Sequence, residues 1–153
     1  MRGVVWFRTD LRIDDNPALH NALDNCEEVI GIYIFSQLQW KAHNESNVKL
    51  EFLLENLILL EKSLSKLNIP LITINTDSFD SLPKDLCSFV VSNKIGQIFW
   101  NNEFGVNETK RDLLSSAILE KENVKTSRFD DQVIYQPGYL KTGQGKPFSV
   151  FTP

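Results

Sequence analysis

Apolar residues follow two rhythms along the 153-residue chain, short unbroken runs and longer stretches with a three-to-four-residue period, and their alternation predicts the elements. Gly3 to Phe7 is a run of β-branched and aromatic residues ending in polar Arg8-Thr9-Asp10, which reads as a buried strand. Asp14-Asp15-Asn16-Pro17 offers an N-cap with proline at the first helical position, and Ala18-Leu19 with Ala22-Leu23 repeats at helical spacing to about Asn25. Val29 to Phe35 is nearly all apolar, as a central strand covered on both faces requires. From about Val48 to Leu67, the residues Leu50, Leu53, Leu54, Leu57, Leu60, Leu64 and Leu67 mark the stripe of a long amphipathic helix. Asn68-Ile69-Pro70 stops it, and Leu71 to Ile74 reads as the next strand.

The second half repeats the scheme. Ser81 to Asn93 is helical through Leu82, Leu86, Phe89 and Val90, and Gln97 to Trp100 is a strand that runs into Asn101-Asn102-Glu103. Asn107 to Glu122 is helical with Leu113, Leu114, Ala117 and Ile118 as its expected buried stripe, and Val124 to Phe129 alternates as an edge strand does. Strands separated by helices demand right-handed crossovers. The expected fold is therefore a doubly wound, Rossmann-like α/β domain: a mostly parallel sheet of about five strands with helices on both faces. Ligands of such sheets sit beyond the carboxyl ends of the strands where the strand order reverses, so the loops after Phe7, Phe35, Asn75 and Trp100 are where chemistry is expected.

Composition narrows the class. With 42% hydrophobic and 24% charged residues the chain reads as one soluble domain. No apolar run reaches the roughly 18 residues of a membrane helix, and Met1-Arg2-Gly3 leads directly into a strand without a signal-peptide core, so a cytoplasmic monomer with no membrane partner is expected. A formal net charge of −4 argues against a domain that grips nucleic acid by its own electrostatics. Cys26 and Cys87 lie far apart with no second Cys or His at ligand spacing, so reduced structural thiols are expected and no metal site.

The first loop lacks Gly-x-Gly-x-x-Gly, and no Gly-rich Lys-Ser/Thr phosphate loop occurs, which disfavours a conventional dinucleotide or nucleoside-triphosphate site. In its place stand Arg8 and Arg12, interleaved with Asp10, Asp14 and Asp15. Mutual Arg–Asp pairing and contact with a ligand both suit that set. Trp6, Phe99 and Trp100 end apolar strands and read as core. Asn107 stands where a helix begins and would serve as its N-cap, Glu108 would be a favourable charge in the first turn, and His43 is a loop histidine near Trp40.

Val5-Trp6-Phe7-Arg8-Thr9-Asp10-Leu11-Arg12, followed by Asp15-Asn16-Pro17-Ala18-Leu19, resembles the opening of the DNA photolyase/cryptochrome family. The likeness continues through Gln39 to Asn44, Val106-Asn107-Glu108 with Lys110-Arg111-Asp112, Phe129-Asp130-Asp131, Pro137-Gly138 and Thr142 to Pro153, so it covers the chain from end to end. It is nearest to bacterial folate-type photolyases that repair cyclobutane pyrimidine dimers. The resemblance implies an antenna-binding α/β domain over residues 1–136, the start of an interdomain linker over 137–153, and a C-terminal helical FAD domain that this sequence lacks. It implies light-driven repair in which reduced FAD donates an electron to a flipped-out dimer, damaged DNA being bound through the missing domain. On that view the fragment carries no catalytic residue and is inactive alone.

The resemblance also implies that the α/β domain holds an antenna chromophore, 5,10-methenyltetrahydrofolate, with contacts on Asn107, Glu108 and His43. A pterin edge presents an amine beside a ring N–H, and one carboxylate can accept from both. Relatives often carry Tyr and an acidic residue where Phe104 and Gly105 stand, and other members use a deazaflavin or flavin as antenna, buried deeper beside the sheet. Two alternatives stand beside this reading: a cryptochrome-type blue-light sensor domain, and a stand-alone nucleotide-binding α/β module unrelated to light.

Overall fold

The structure is a computed structural model that describes residues 1–42 and 44–148. Its elements run β1 (Arg2–Phe7), α1 (Pro17–Asn25), β2 (Glu28–Ser36), α2 (Gln37–Ala42), α3 (Asn47–Ser65), β3 (Leu71–Thr76), α4 (Leu82–Ser92), β4 (Gln97–Asn101), α5 (Val106–Lys121) and β5 (Lys125–Phe129). The five strands form one parallel sheet in the order β3-β2-β1-β4-β5, so the winding reverses between β1 and β4. The doubly wound α/β reading is thus the observed fold.

The burial pattern follows from strand period. Val4, Val5, Trp6 and Phe7 are each at most 1% exposed, and successive side chains of a strand point to opposite faces, so β1 must be covered twice. Val4 and Trp6 join Ile30, Ile32, Ile98 and Trp100 under Leu86 and Val90 of α4 and Leu119 of α5. Val5 and Phe7 join Phe99 under Ala18, Leu19 and Ala22 of α1 and Leu60 and Leu64 of α3. Trp6 and Trp100 meet edge to face with ring centroids 5.7 Å apart, which confirms them as core. The start of α1 is as expected: the Asn16 side chain accepts the Leu19 N–H at 3.1 Å and Pro17 follows it. Cys26 and Cys87 are free thiols, and burial pushes both up. Among the described residues no helix is long and apolar enough to cross a membrane.

Four local expectations are corrected. In α5 the inward face holds Arg111, Asp112, Ser115 and Leu119, while Leu113 is 56% and Leu114 49% exposed. Ala117 is exposed too, and of the expected stripe Ile118 alone is half-buried and packs against the core. The cause is electrostatic: Asp112 is the partner of a buried arginine, and that pairing fixes the rotation of the helix against its aliphatic period. Leu54 and Leu67 of the long leucine stripe are likewise exposed, since α3 reaches the sheet through Leu57, Leu60 and Leu64. Helix α2 was not expected, and it turns the chain directly off the end of β2. Finally, α5 begins one residue early with Gly105 as N-cap, so Asn107 is inside the first turn and caps nothing.

The rotation of α5 is directly testable. Leu119→Ala should cost about 2–5 kcal/mol as a fully buried truncation, whereas Leu113→Ser should change stability by no more than about 0.5 kcal/mol. Urea midpoints of the two variants measure this, and the opposite ranking would turn the helix around.

Candidate functional site

The first residue past β1, Arg8, leaves the sheet on the face of Trp6 and lays its guanidinium 4.8 Å from that ring's centroid. Its Nη1 donates to both carboxylate oxygens of Asp112, at 2.8 and 2.9 Å, and its Nη2 donates to the carbonyl of Asn101. Arg111 stands over Trp6 at the same 4.8 Å and donates to Asp112 through Nε at 2.9 Å and Nη2 at 2.7 Å. Glu103 completes the group, accepting from Arg111 Nη2 at 2.8 Å and from the Thr9 hydroxyl at 2.9 Å. Two cations and two carboxylates therefore neutralise each other at the point where the strand order reverses, as buried charges must.

A second network, built on the Asp10 carboxylate, fastens the same loop to its neighbours. Asp10 accepts the Arg8 backbone N–H at 2.8 Å and the Asn101 amide at 2.6 Å. Asn101 also donates to the Asn16 side chain at 2.9 Å and accepts the Ala18 N–H at 3.1 Å, so one residue at the end of β4 holds both the β1 loop and the start of α1. Arg12 donates to Asp131 at 2.6 Å. The two arginines are thus paired, but with carboxylates from α5 and from beyond β5, not with the acids of their own loop.

These surroundings shift the titrating groups. Burial pushes the Glu103 carboxyl up, but Arg8, Arg111 and the Thr9 hydroxyl outweigh it and hold the group below its ordinary 4.5. Tyr33, buried nearby and facing the Glu103 charge, is pushed up to about 12. Burial lowers Arg8.

Above this ionic floor lies a cavity of about 490 Å³, between the strand ends and the first half of α3. Phe7, Tyr33, Trp40, Leu50, Phe52 and Phe79 give it an apolar, largely aromatic wall, and Arg8, Ser36, Glu103 and Glu108 supply polar groups. Its volume lies in the range of small-molecule and cofactor sites. Loops after β1, β2, β3 and β4 all contribute, which are the four named from the sequence. Among the described residues no cluster of His, Cys, Asp or Glu could hold a metal ion.

Glu108, in the first turn of α5, lines this cavity. It has no ion-pair partner among the described residues, whereas Arg111 is paired with Glu103, Arg12 with Asp131 and Lys49 with Glu45. Its carboxylate folds back over Gly105, where any Cβ would collide with it. Asn107 is not brought into the same space: it lines a separate hollow of about 100 Å³ with Asp80 and Lys110, across a wall made by Arg111 and Phe79. His43 lies outside the described residues. Sequence reasoning gave no role to Tyr33, Ser36, Phe52 or Phe79. Phe52 carried a signal, being a large aromatic off the leucine stripe of α3.

A family model described as DNA photolyase matches residues 3–153. A deoxyribodipyrimidine photo-lyase of Escherichia coli is 36% identical over 151 residues, covering 98% of this chain and 32% of that protein. One of Vibrio cholerae is 32% identical over 150 residues, with 98% and 32% covered. Among solved structures, an archaeal photolyase from Sulfolobus tokodaii superposes with a TM-score of 0.82 at 23% identity, over 93% of this chain and 32% of that one. The chain spans about a third of the length of the relatives it matches.

The ionic floor carries two expectations. Asp112→Asn should cost about 3–5 kcal/mol, because it removes one of the two carboxylates that balance the buried Arg8 and Arg111. The Glu103 carboxyl is held below 4.5 when folded, so its pairing contributes stability above that pH and loses it as the pH falls through the folded value. In denaturation at a series of pH values, the lead of the wild type over Glu103→Gln should hold near neutrality and shrink below pH 4.5.

Proposed function

The chain belongs to the DNA photolyase family, and from that premise we propose that it is the antenna-binding α/β domain of a deoxyribodipyrimidine photo-lyase. In this reading, light-driven repair of cyclobutane pyrimidine dimers, and the contact with damaged DNA, belong to a helical domain that binds reduced FAD. Residues 137–153 begin the linker toward it, and the chain alone repairs nothing. The protein works as a cytoplasmic monomer.

The observation that carries the reading is Glu108, a carboxylate without an ion-pair partner among the described residues, in the wall of an aromatic cavity at the reversal point of the sheet. Such a group suits a ligand edge that donates two hydrogen bonds, as the amine and ring N–H of a pterin do. We therefore assign 5,10-methenyltetrahydrofolate to this domain, with Glu108 accepting from the pterin edge and His43 as a further contact; Asn107, in the neighbouring hollow across the Arg111 wall, is left out of the set. When bound, the chromophore absorbs light and passes its excitation to the flavin; the residues of this chain bind it, orient it and keep water from its buried face. The cavity reaches the strands themselves at Trp6, Phe7 and Tyr33, and this favours a second reading, a flavin-type ring as antenna beside the sheet. The Sulfolobus photolyase is described with two FAD molecules, with the implication of a novel light-harvesting cofactor.

Glu108→Ala in the polypeptide carrying both domains should strip folate absorbance from the purified protein and leave repair driven by the flavin alone unchanged. Unaltered folate occupancy would remove Glu108 from the site. Reconstitution of the wild type with methenyltetrahydrofolate and with FMN, read by absorbance, separates the two antenna readings.

A further inference from the structure

The chain leaves β5 by folding back over the carboxyl ends of β4 and β1, and three consecutive residues fasten it there. The Asn102 N–H donates to the carbonyl of Phe129 at 2.6 Å, and the Asn102 amide donates to Asp130 at 2.7 Å. Arg12 reaches Asp131 at 2.6 Å, while a second bond, to the Asp15 carbonyl at 2.8 Å, braces the arginine against its own loop. The Gln132 amide donates to the Thr9 hydroxyl at 2.9 Å, and that hydroxyl donates onward to Glu103 at 2.9 Å. The Asp131 side chain is 5% exposed, so its carboxylate is tied into the body of the domain.

Past Gln136 no hydrogen bond or ion pair among the described residues ties the chain to the domain. The hydrogen bonds of residues 137–148 stay within that segment or reach back only to Gln136, and Tyr139, Leu140 and Phe148 are more than half exposed. Asp130, Asp131 and Gln132 are therefore the last points at which polar contacts grip the outgoing chain. What they grip is the cavity wall, since Thr9, Arg12 and Glu103 all line the cavity. The strongest of these ties is the charge-assisted pair of Arg12 with the nearly buried Asp131. We propose that Asp131 and Gln132 are positioning residues for excitation transfer: they fix the direction in which the chain departs from the cavity wall, and so the distance and angle between an antenna held there and the flavin of the domain that follows. The inference rests on the reading that this domain holds the antenna, and adds what keeps the two chromophores in register. Transfer falls steeply with separation and depends on the angle between the transition dipoles. A segment freed of its anchors samples many directions, as a flexible linker does, and loses transfer with both chromophore sites intact.

The test compares the wild type with the double variant Asp131→Ala, Gln132→Ala, neither residue being part of the cavity lining. In this chain by itself, backbone order parameters from nitrogen relaxation should stand near about 0.85 over residues 130–136 in the wild type and drop below about 0.6 in the variant, with the urea midpoint unchanged. In the polypeptide carrying both domains, reconstituted with methenyltetrahydrofolate, transfer is read as the shortening of the folate fluorescence lifetime by the flavin. The variant should transfer less than the wild type at equal folate and flavin occupancy, and repair driven by the flavin alone should be unchanged. Order that is already absent in the wild type, or that survives in the variant, overturns the proposal and leaves the antenna reading intact. Equal transfer by both proteins does the same, as does a variant that loses folate instead of transfer. Failure of the wild type to take up folate overturns the antenna reading, and the proposal with it.

Discussion

A guanidinium without water around it can be held only by charge of the opposite sign, and the pairing of Arg8 with Asp112 is the constraint around which this domain is arranged. It joins the end of the central strand to the inward face of α5, and the side chains beside it complete the balance: Arg111 shares Asp112, and Glu103 holds Arg111. Trp6 is the floor beneath both arginines, each guanidinium facing its ring.

That constraint also sorts what could be read from the sequence. The strands were legible because β1, β2 and β4 are buried on both faces and so are written as unbroken apolar runs; the sparse alternation of Lys125 to Phe129 marked an edge, and β5 is one. Period failed in α5. The aliphatic stripe through Leu113 and Leu114 is real in the sequence, but a helix turns to satisfy a buried charge before it turns to bury a leucine that solvent tolerates. Helix α2 is only six residues long, too short for a period to declare itself.

The candidate site was legible in part. Loops at the carboxyl ends of the strands follow from topology alone, and Glu108 came from the resemblance and was then found in the cavity wall. Asn107 came from the same motif and lies across the Arg111 wall, because neighbouring residues of a helix point about 100° apart and cannot face one small space together. Ser36 was invisible: a single serine after an apolar strand reads as the strand's end, and only the fold brings it into the cavity wall.

The bond between Arg8 and Asp112 closes 104 residues of chain. β1 is first in the sequence and central in the sheet, and its second neighbour, β4, begins only at Gln97. During synthesis the apolar run Val4 to Phe7 therefore leaves the ribosome long before its partners on one edge exist, and the floor of the cavity cannot form until α5 has been made. Topology of this kind makes assembly depend on contacts distant in sequence. The same long closure that gives the site its rigidity leaves the opening strand as the segment most in need of protection while the chain is being built.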